Sequence, residues 1–257
     1  MQQGGRQAYY AQVITPLLAA MAPPILTRGD GGLDLHAPDG FLTVPVALIM
    51  WGITAVILAV AVGRANRTLD DRAIPLMGVL AAFIFAAQMF NFPVIGGTSG
   101  HLLGGVLAAV LLGPWVGTIV MASVIAVQAL LFQDGGLVVM GANIFNMGIV
   151  GTLGGYYVYR ALAGAMGGEA RGRVPAAAIA AWMAVVAGAV AMTLQLAASG
   201  TTPLEVALPA MLGVHALIGI GEALITAAAL GFIAVTRADL FRLRDAGRQV
   251  AGRSSAA

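Results

Sequence analysis

The segment Thr43–Gly63 reads TVPVALIMWGITAVILAVAVG, with no charged side chain in it. A run apolar on every face of a helix belongs in lipid or inside a bundle, and about 20 helical residues cross the ~30 Å hydrocarbon core of a bilayer. The run stops at Arg64, with Arg67 and Arg72 close behind. Further apolar runs follow at Ile74–Phe92, Trp115–Phe132, Leu137–Tyr159, Pro175–Ala198 and Pro209–Thr236, and a shorter, glycine-rich one at His101–Gly113. Across all 257 residues, 60% are hydrophobic and 9% charged. A soluble domain carries roughly 25% charged residues. The expected fold is therefore an all-α, polytopic membrane helical bundle with about seven transmembrane helices.

The basic residues set an expected orientation. All thirteen are Arg, and eleven fall in three polar segments: Arg64, Arg67 and Arg72; Arg160, Arg171 and Arg173; and Arg237, Arg242, Arg244, Arg248 and Arg253. The positive-inside rule assigns all three to the cytoplasm. Seven crossings satisfy that rule with the N-terminus outside and the C-terminus cytoplasmic, provided His101–Gly113 is a crossing; a re-entrant piece there would break the parity. Residues 35–236 then form one membrane domain, and residues 237–257 a basic tail with Leu240, Phe241 and Leu243 placed to lie at an anionic inner surface. Residues 1–34 read as a leader or as a misassigned upstream extension. Ala11–Ala22 is apolar enough for a signal sequence, but Pro23 follows Ala22 and no cleavage signal abuts Leu35.

Two absences narrow the chemistry. Without Cys there is neither a disulfide nor a thiolate metal site. Without Lys there can be no Walker A loop, so any ATP-driven step needs another chain. Nothing in the Arg distribution calls for nucleic acid.

Polar groups at membrane depth are costly and are functional candidates by default. The histidines are His36, His101 and His215. By the expected topology His36 and His101 both lie on the outer side, where two neutral imidazoles would suit nickel, cobalt, copper or zinc. The alternative is that each is an interfacial His satisfied by a loop carbonyl. His215 and Glu222 stand seven apart on one helical face. That spacing suits an internal His–Glu hydrogen bond, or a second metal station on the inward path. Asn143 and Asn146 share a face at i, i+3, with Asn143 placed to support an outer site, and Asp134 reads as a loop-turn residue. The stripe Ala55, Ala59, Gly63 would let another helix approach closely, although chance explains it equally well in an Ala-rich chain.

Three stretches add a resemblance. Gln88–Gly105 (QMFNFPVIGGTSGHLLGG), Gln128–Gly136 (QALLFQDGG) and Gly141–Met147 (GANIFNM) resemble signatures of the CbiM/NikM family, the cobalt- and nickel-specific substrate-binding (S) components of energy-coupling factor (ECF) ABC transporters. The resemblance runs from about Leu35 to Thr236. It implies a metal-binding membrane subunit in a bacterial or archaeal plasma membrane, importing Ni2+ or Co2+ as substrate, with no organic cofactor and no enzymatic activity of its own. It further implies a transmembrane coupling (T) subunit, two cytoplasmic ATPase subunits and, in some assemblies, a small accessory membrane subunit.

In that family the mature chain starts Met-His. The resemblance implies four nitrogen donors: the terminal amine, the second residue's backbone nitrogen, its imidazole, and a loop histidine. Carried over, His36 is the chelating histidine and His101 the fourth ligand, with Leu35 and Ser99 beside them. Four nitrogens in a plane favour Ni(II) or Cu(II) over tetrahedral Zn(II). Here, however, position 35 is Leu and thirty-four residues precede it. Initiation at codon 35, decoded as Met, would restore the amine. A metalloprotease is disfavoured because no His is followed by Glu, as HExxH requires. A vitamin-binding S component is disfavoured by only 7% aromatic residues. A stand-alone secondary transporter or channel for a divalent metal stays open, as does the choice between nickel and cobalt.

Overall fold

A computed structural model describes residues 36–69, 73–90, 92–94 and 98–241. The readings of residues 1–35 (Leu35 included), of Arg72, of Ile95–Gly97 and of the tail from Arg242 onward fall outside the described residues.

Helix α1 is Val44–Thr68 and α2 is Ala73–Met89. Pro45 sits in the first turn of α1, where its missing N–H costs nothing. Strands β1 (Phe92–Val94) and β2 (Thr98–Gly100) pair antiparallel, with Phe92 opposite Gly100, Pro93 opposite Ser99 and Val94 opposite Thr98. Among the described residues, every other regular element is helical. The hairpin has a local cause in Pro93, which biases the preceding Phe92 toward extended backbone.

Helix α3 is Gly105–Leu112, and Gly113 alone joins it to α4, Pro114–Val127, which continues as a π-helical turn at Gln128–Phe132. Helix α5 (Met140–Asn143), a π-helical stretch (Ile144–Gly154) and α6 (Gly155–Ala165) form one unbroken rod of 4, 11 and 11 residues. Helices α7 (Glu169–Ala198) and α8 (Leu204–Thr236) complete the order. Among the described residues, four apolar helical stretches are long enough to span a membrane: Val44–Arg67, Pro114–Phe132, Glu169–Ala198 and Leu204–Thr236.

The run His101–Gly113 is not a continuous helix. Eight helical residues rise only about 12 Å, less than half a hydrocarbon core. The rest, His101–Gly104, is irregular backbone, and Leu102 and Leu103 are buried. Such backbone is tolerated at depth only where protein satisfies it. The partners are Gln88 on α2 and Glu222 on α8.

The core is unusually small-featured on α7, which buries Ala176, Ala177, Ala180, Ala181, Ala184 and Ala189 against α6, α8 and the π-helical stretch. Small side chains let helices approach closely. Large apolar residues point outward instead, among them Leu48, Val56, Val79, Phe232 and Val235. Ala55, Ala59 and Gly63 are exposed too. Near one end of α1, the Arg64 guanidinium lies 4.7 Å from the Trp115 ring centroid. Near its other end the Thr43 N–H donates to Ser199 Oγ (3.1 Å) and Thr201 Oγ1 to the Phe41 carbonyl (2.7 Å), so the start of α1 sits beside the end of α7.

Candidate metal site

The site is built on an irregular segment, residues 36–43, pinned to the loop before α5. Asp39 accepts from the N–H groups of Leu137 (3.1 Å), Val138 (2.8 Å) and Val139 (3.2 Å), just ahead of the first turn at Met140. A carboxylate there satisfies donors that a helix start leaves open. Asn143 uses both ends of its amide on one residue: Ala37 N–H donates to Oδ1 (2.9 Å), and Nδ2 donates to the Ala37 carbonyl (3.0 Å). The Gly136 N–H adds a second bond to that carbonyl at 2.9 Å. A Cβ at Gly136 would collide with Asp39, so this junction requires glycine.

Held in this way, His36 is 8% exposed and packs against His101, with ring centroids 4.9 Å apart and planes at 60°. His36 Nδ1 lies 2.9 Å from Asp134 Oδ1, and its Nε2 is buried with no hydrogen-bond partner among the described residues. His101, half-buried, places Nδ1 2.9 Å from the Leu102 carbonyl. A carbonyl only accepts, so Nδ1 of His101 carries the proton and Nε2 keeps its lone pair. Both rings thus have one nitrogen anchored on oxygen and the other available, the arrangement that supports imidazole as a metal ligand. The hydrogen bond from His36, ahead of any other influence, holds the Asp134 carboxyl below the usual carboxylate range.

Several expectations are corrected. Asp134 is more than a turn residue, because it orients His36. His215 and Glu222 do not bond to each other: His215 Nδ1 faces its own helix at the Met211 carbonyl (2.9 Å), while Glu222 reaches Leu103 and Gly104. Asn143 and Asn146 serve different partners. The π-helical winding that begins at Ile144 breaks the i, i+3 alignment, and Asn146 instead exchanges a reciprocal amide pair with Gln195 on α7, at 2.9 and 2.7 Å. Ser99 is placed by backbone pairing in β2, two residues before His101.

Among the described residues, no three His, Asp or Glu side chains converge to hold a metal. A site here rests on two imidazoles and needs main-chain or terminal nitrogen to complete it. The implied chelate, in which one residue supplies its amide and its imidazole, closes through the ring nitrogen nearer the backbone. In the structure that atom, Nδ1 of His36, faces Asp134. Chelation through it breaks that contact, whereas coordination through Nε2 keeps it.

Sequence reasoning missed Gln88 and Gln128. Gln88 Nε2 donates to the Leu103 carbonyl (2.7 Å), and Gln128 Nε2 donates to Gln88 Oε1 (2.8 Å). The signal was present as polar amides inside apolar runs, which are functional or structural in origin by default.

Known proteins are similar to this chain over most of its length. Residues 36–240 match the family model CbiM, described as the cobalt uptake substrate-specific transmembrane region. A putative fused nickel transport protein NikMN of Archaeoglobus fulgidus is 39% identical over 219 residues, covering 84% of this chain and 71% of that one. A putative metal transport protein of Haloquadratum walsbyi is 42% identical over 208 residues, covering 80% and 93%. A crystal structure of a truncated transition metal transporter superposes with a TM-score of 0.70 at 33% identity, covering 77% of this chain and 98% of that chain. With family signature, length and fold in agreement, the chain belongs to the CbiM/NikM family of cobalt and nickel transport proteins.

Proposed function

We propose that this membrane protein is the S component of an ECF-type importer and captures Ni2+ or Co2+ between His36 and His101. The observation that carries the reading is the pair of packed imidazoles, one of which has a buried Nε2 without a partner among the described residues. A buried acceptor left without a partner costs about 1–3 kcal/mol, and a bound cation removes that cost. Nitrogen donors suit first-row ions of this kind. A free amine at residue 35, if translation starts there, would supply a further nitrogen next to His36. Capture would then release protons, so affinity rises with pH.

The proposed topology has seven crossings, with the N-terminus outside and the C-terminus in the cytoplasm. The third crossing is discontinuous, made of His101–Gly104 and α3. In support, the described Arg residues sit toward helix ends, and no Arg lies among the buried residues between them. A T subunit and two ATPase subunits would drive transport, since this chain has no Lys for a Walker A loop. The exposed faces of α1 offer surface for the membrane partner. Localisation is the plasma membrane of a bacterium or archaeon.

The test is Ni2+ and Co2+ titration of the purified full chain in detergent, with His36→Ala and His101→Ala beside it. One ion per chain is expected, with affinity lost or strongly reduced in each variant. Wild-type affinity in His101→Ala would refute the site.

A further inference from the structure

We infer that Glu222, from the last membrane helix, is the positioning residue that fixes the proton and the aim of the His101 imidazole. The inference rests on the metal reading of His101 proposed above, but its geometry stands independently. Glu222 is 2% exposed, and both of its oxygens are engaged: Oε2 accepts from the Leu103 N–H at 2.6 Å and Oε1 from the Gly104 N–H at 2.8 Å.

The Leu103 N–H and the Leu102 carbonyl belong to one peptide plane, and planarity ties their directions together. That carbonyl holds His101 Nδ1. A continuous chain therefore runs from the Glu222 carboxylate through the Leu102–Leu103 peptide to His101 Nδ1–H, leaving Nε2 free. Hydrogen bonds in series polarise one another, so an acceptor held on the N–H at one end strengthens the carbonyl as an acceptor at the other. A carboxylate bonded directly to a ligand imidazole has the same effect in metal sites; here a peptide unit lies between.

The next peptide plane is also held at both ends. Its N–H, of Gly104, goes to Glu222, and its carbonyl, of Leu103, goes to Gln88, which is itself braced by Gln128. Gly104 has φ +80°, and a Cβ there would meet the Ile84 side chain at 2.9 Å, so the clamp closes over a residue only glycine suits. Two helices, α2 and α8, thus converge on two peptide planes adjoining one imidazole, and Gln128, from the π-helical turn that follows α4, braces Gln88 from behind. The arrangement positions His101 and supplies no donor to the ion.

The experiment uses the full chain with 15N-labelled histidine and compares wild type with Glu222→Gln. The imidazole nitrogen shifts of the metal-free protein report the tautomer of His101, and a parallel Ni2+ titration reports affinity. Wild type should show His101 as a single tautomer protonated at Nδ1. In Glu222→Gln, the new NH2 group opposes one of the two N–H donors. Mixed tautomers at His101 are expected there, with affinity roughly 10–100-fold weaker. If Glu222→Gln does not accumulate, Glu222→Asp withdraws the carboxylate by one methylene and is read by the same shifts, in the same direction. An unchanged His101 tautomer, with or without a loss of affinity, overturns the inference. If wild type takes up neither ion, the metal reading fails, and the tautomer comparison still decides whether Glu222 controls His101.

Discussion

Replacing Asp134 by Ala separates the two ways in which His36 could hold an ion. In the structure Asp134 Oδ1 sits 2.9 Å from His36 Nδ1. A hydrogen bond to a charged group contributes about 1.5–3 kcal/mol when buried. The Asp134 side chain is 35% exposed, so solvent screens the contact and the lower end applies. About 1.4 kcal/mol corresponds to a tenfold change in affinity, which is also the lower end of the roughly 10–100-fold usual for removing a carboxylate behind a ligand histidine. Coordination through Nε2 therefore predicts about tenfold weaker Ni2+ binding in Asp134→Ala. Asp134→Asn, which keeps a neutral acceptor of about half the strength, should fall between wild type and Ala. The assay is competition against a chelator of known affinity at fixed pH, with metal-free melting curves to confirm the fold. Unchanged binding would refute the reasoning. Tighter binding would be more informative, because it would mean Asp134 had been withholding Nδ1 from a chelate.

Other expectations follow from the same contacts. Asn143→Ala strips Ala37 N–H of its partner and should cost about 1–3 kcal/mol, read as a lower metal-free melting temperature together with faster amide exchange at Ala37. Asn146→Ala or Gln195→Ala alone orphans a buried amide at a similar cost of about 1–3 kcal/mol, whereas Asn146→Leu with Gln195→Leu should be close to neutral in unfolding titrations. Acid should remove the Asp134 contribution late. The Asp134 carboxyl has its folded pKa below the ordinary carboxylate value, so its stabilising contribution is fully present above the unfolded pKa and fades only as pH falls through the lower folded one. The melting-temperature difference between wild type and Asp134→Ala should therefore persist down to about pH 4 and vanish only below it; a difference already gone near pH ~6 would contradict this.

The membrane bundle was legible from the apolar runs alone, because hydrophobic length is a one-dimensional property. His36 and His101 were legible as a pair through topology and resemblance, and the structure brings their rings into contact. What could not be read was how polar groups are shared. The seven-residue spacing of His215 and Glu222 correctly put both on the buried face of α8, yet helical periodicity says nothing about partners from other elements, and Glu222 found its own more than a hundred positions away in sequence. Asn143 and Asn146 failed for a different reason: the pattern assumes α-helical winding, and the rod turns π-helical between them. The short run at His101–Gly113 hid a change from coil to helix, since irregular backbone and buried helix look alike when both are apolar.

The alanine-lined interior of α7 has a consequence for how this chain can vary. An alanine has almost nothing to lose, so truncation there is barely possible, and the available change is enlargement. Each added methyl at Ala180 or Ala181 would meet close-packed neighbours, at about 1–3 kcal/mol of overpacking. On the same helix Ile179, Met183 and Leu194 stand exposed and can be exchanged for other apolar side chains without touching the interior. Sequence drift in α7 should therefore run along one face only, leaving a conserved row of small residues opposite a freely changing one.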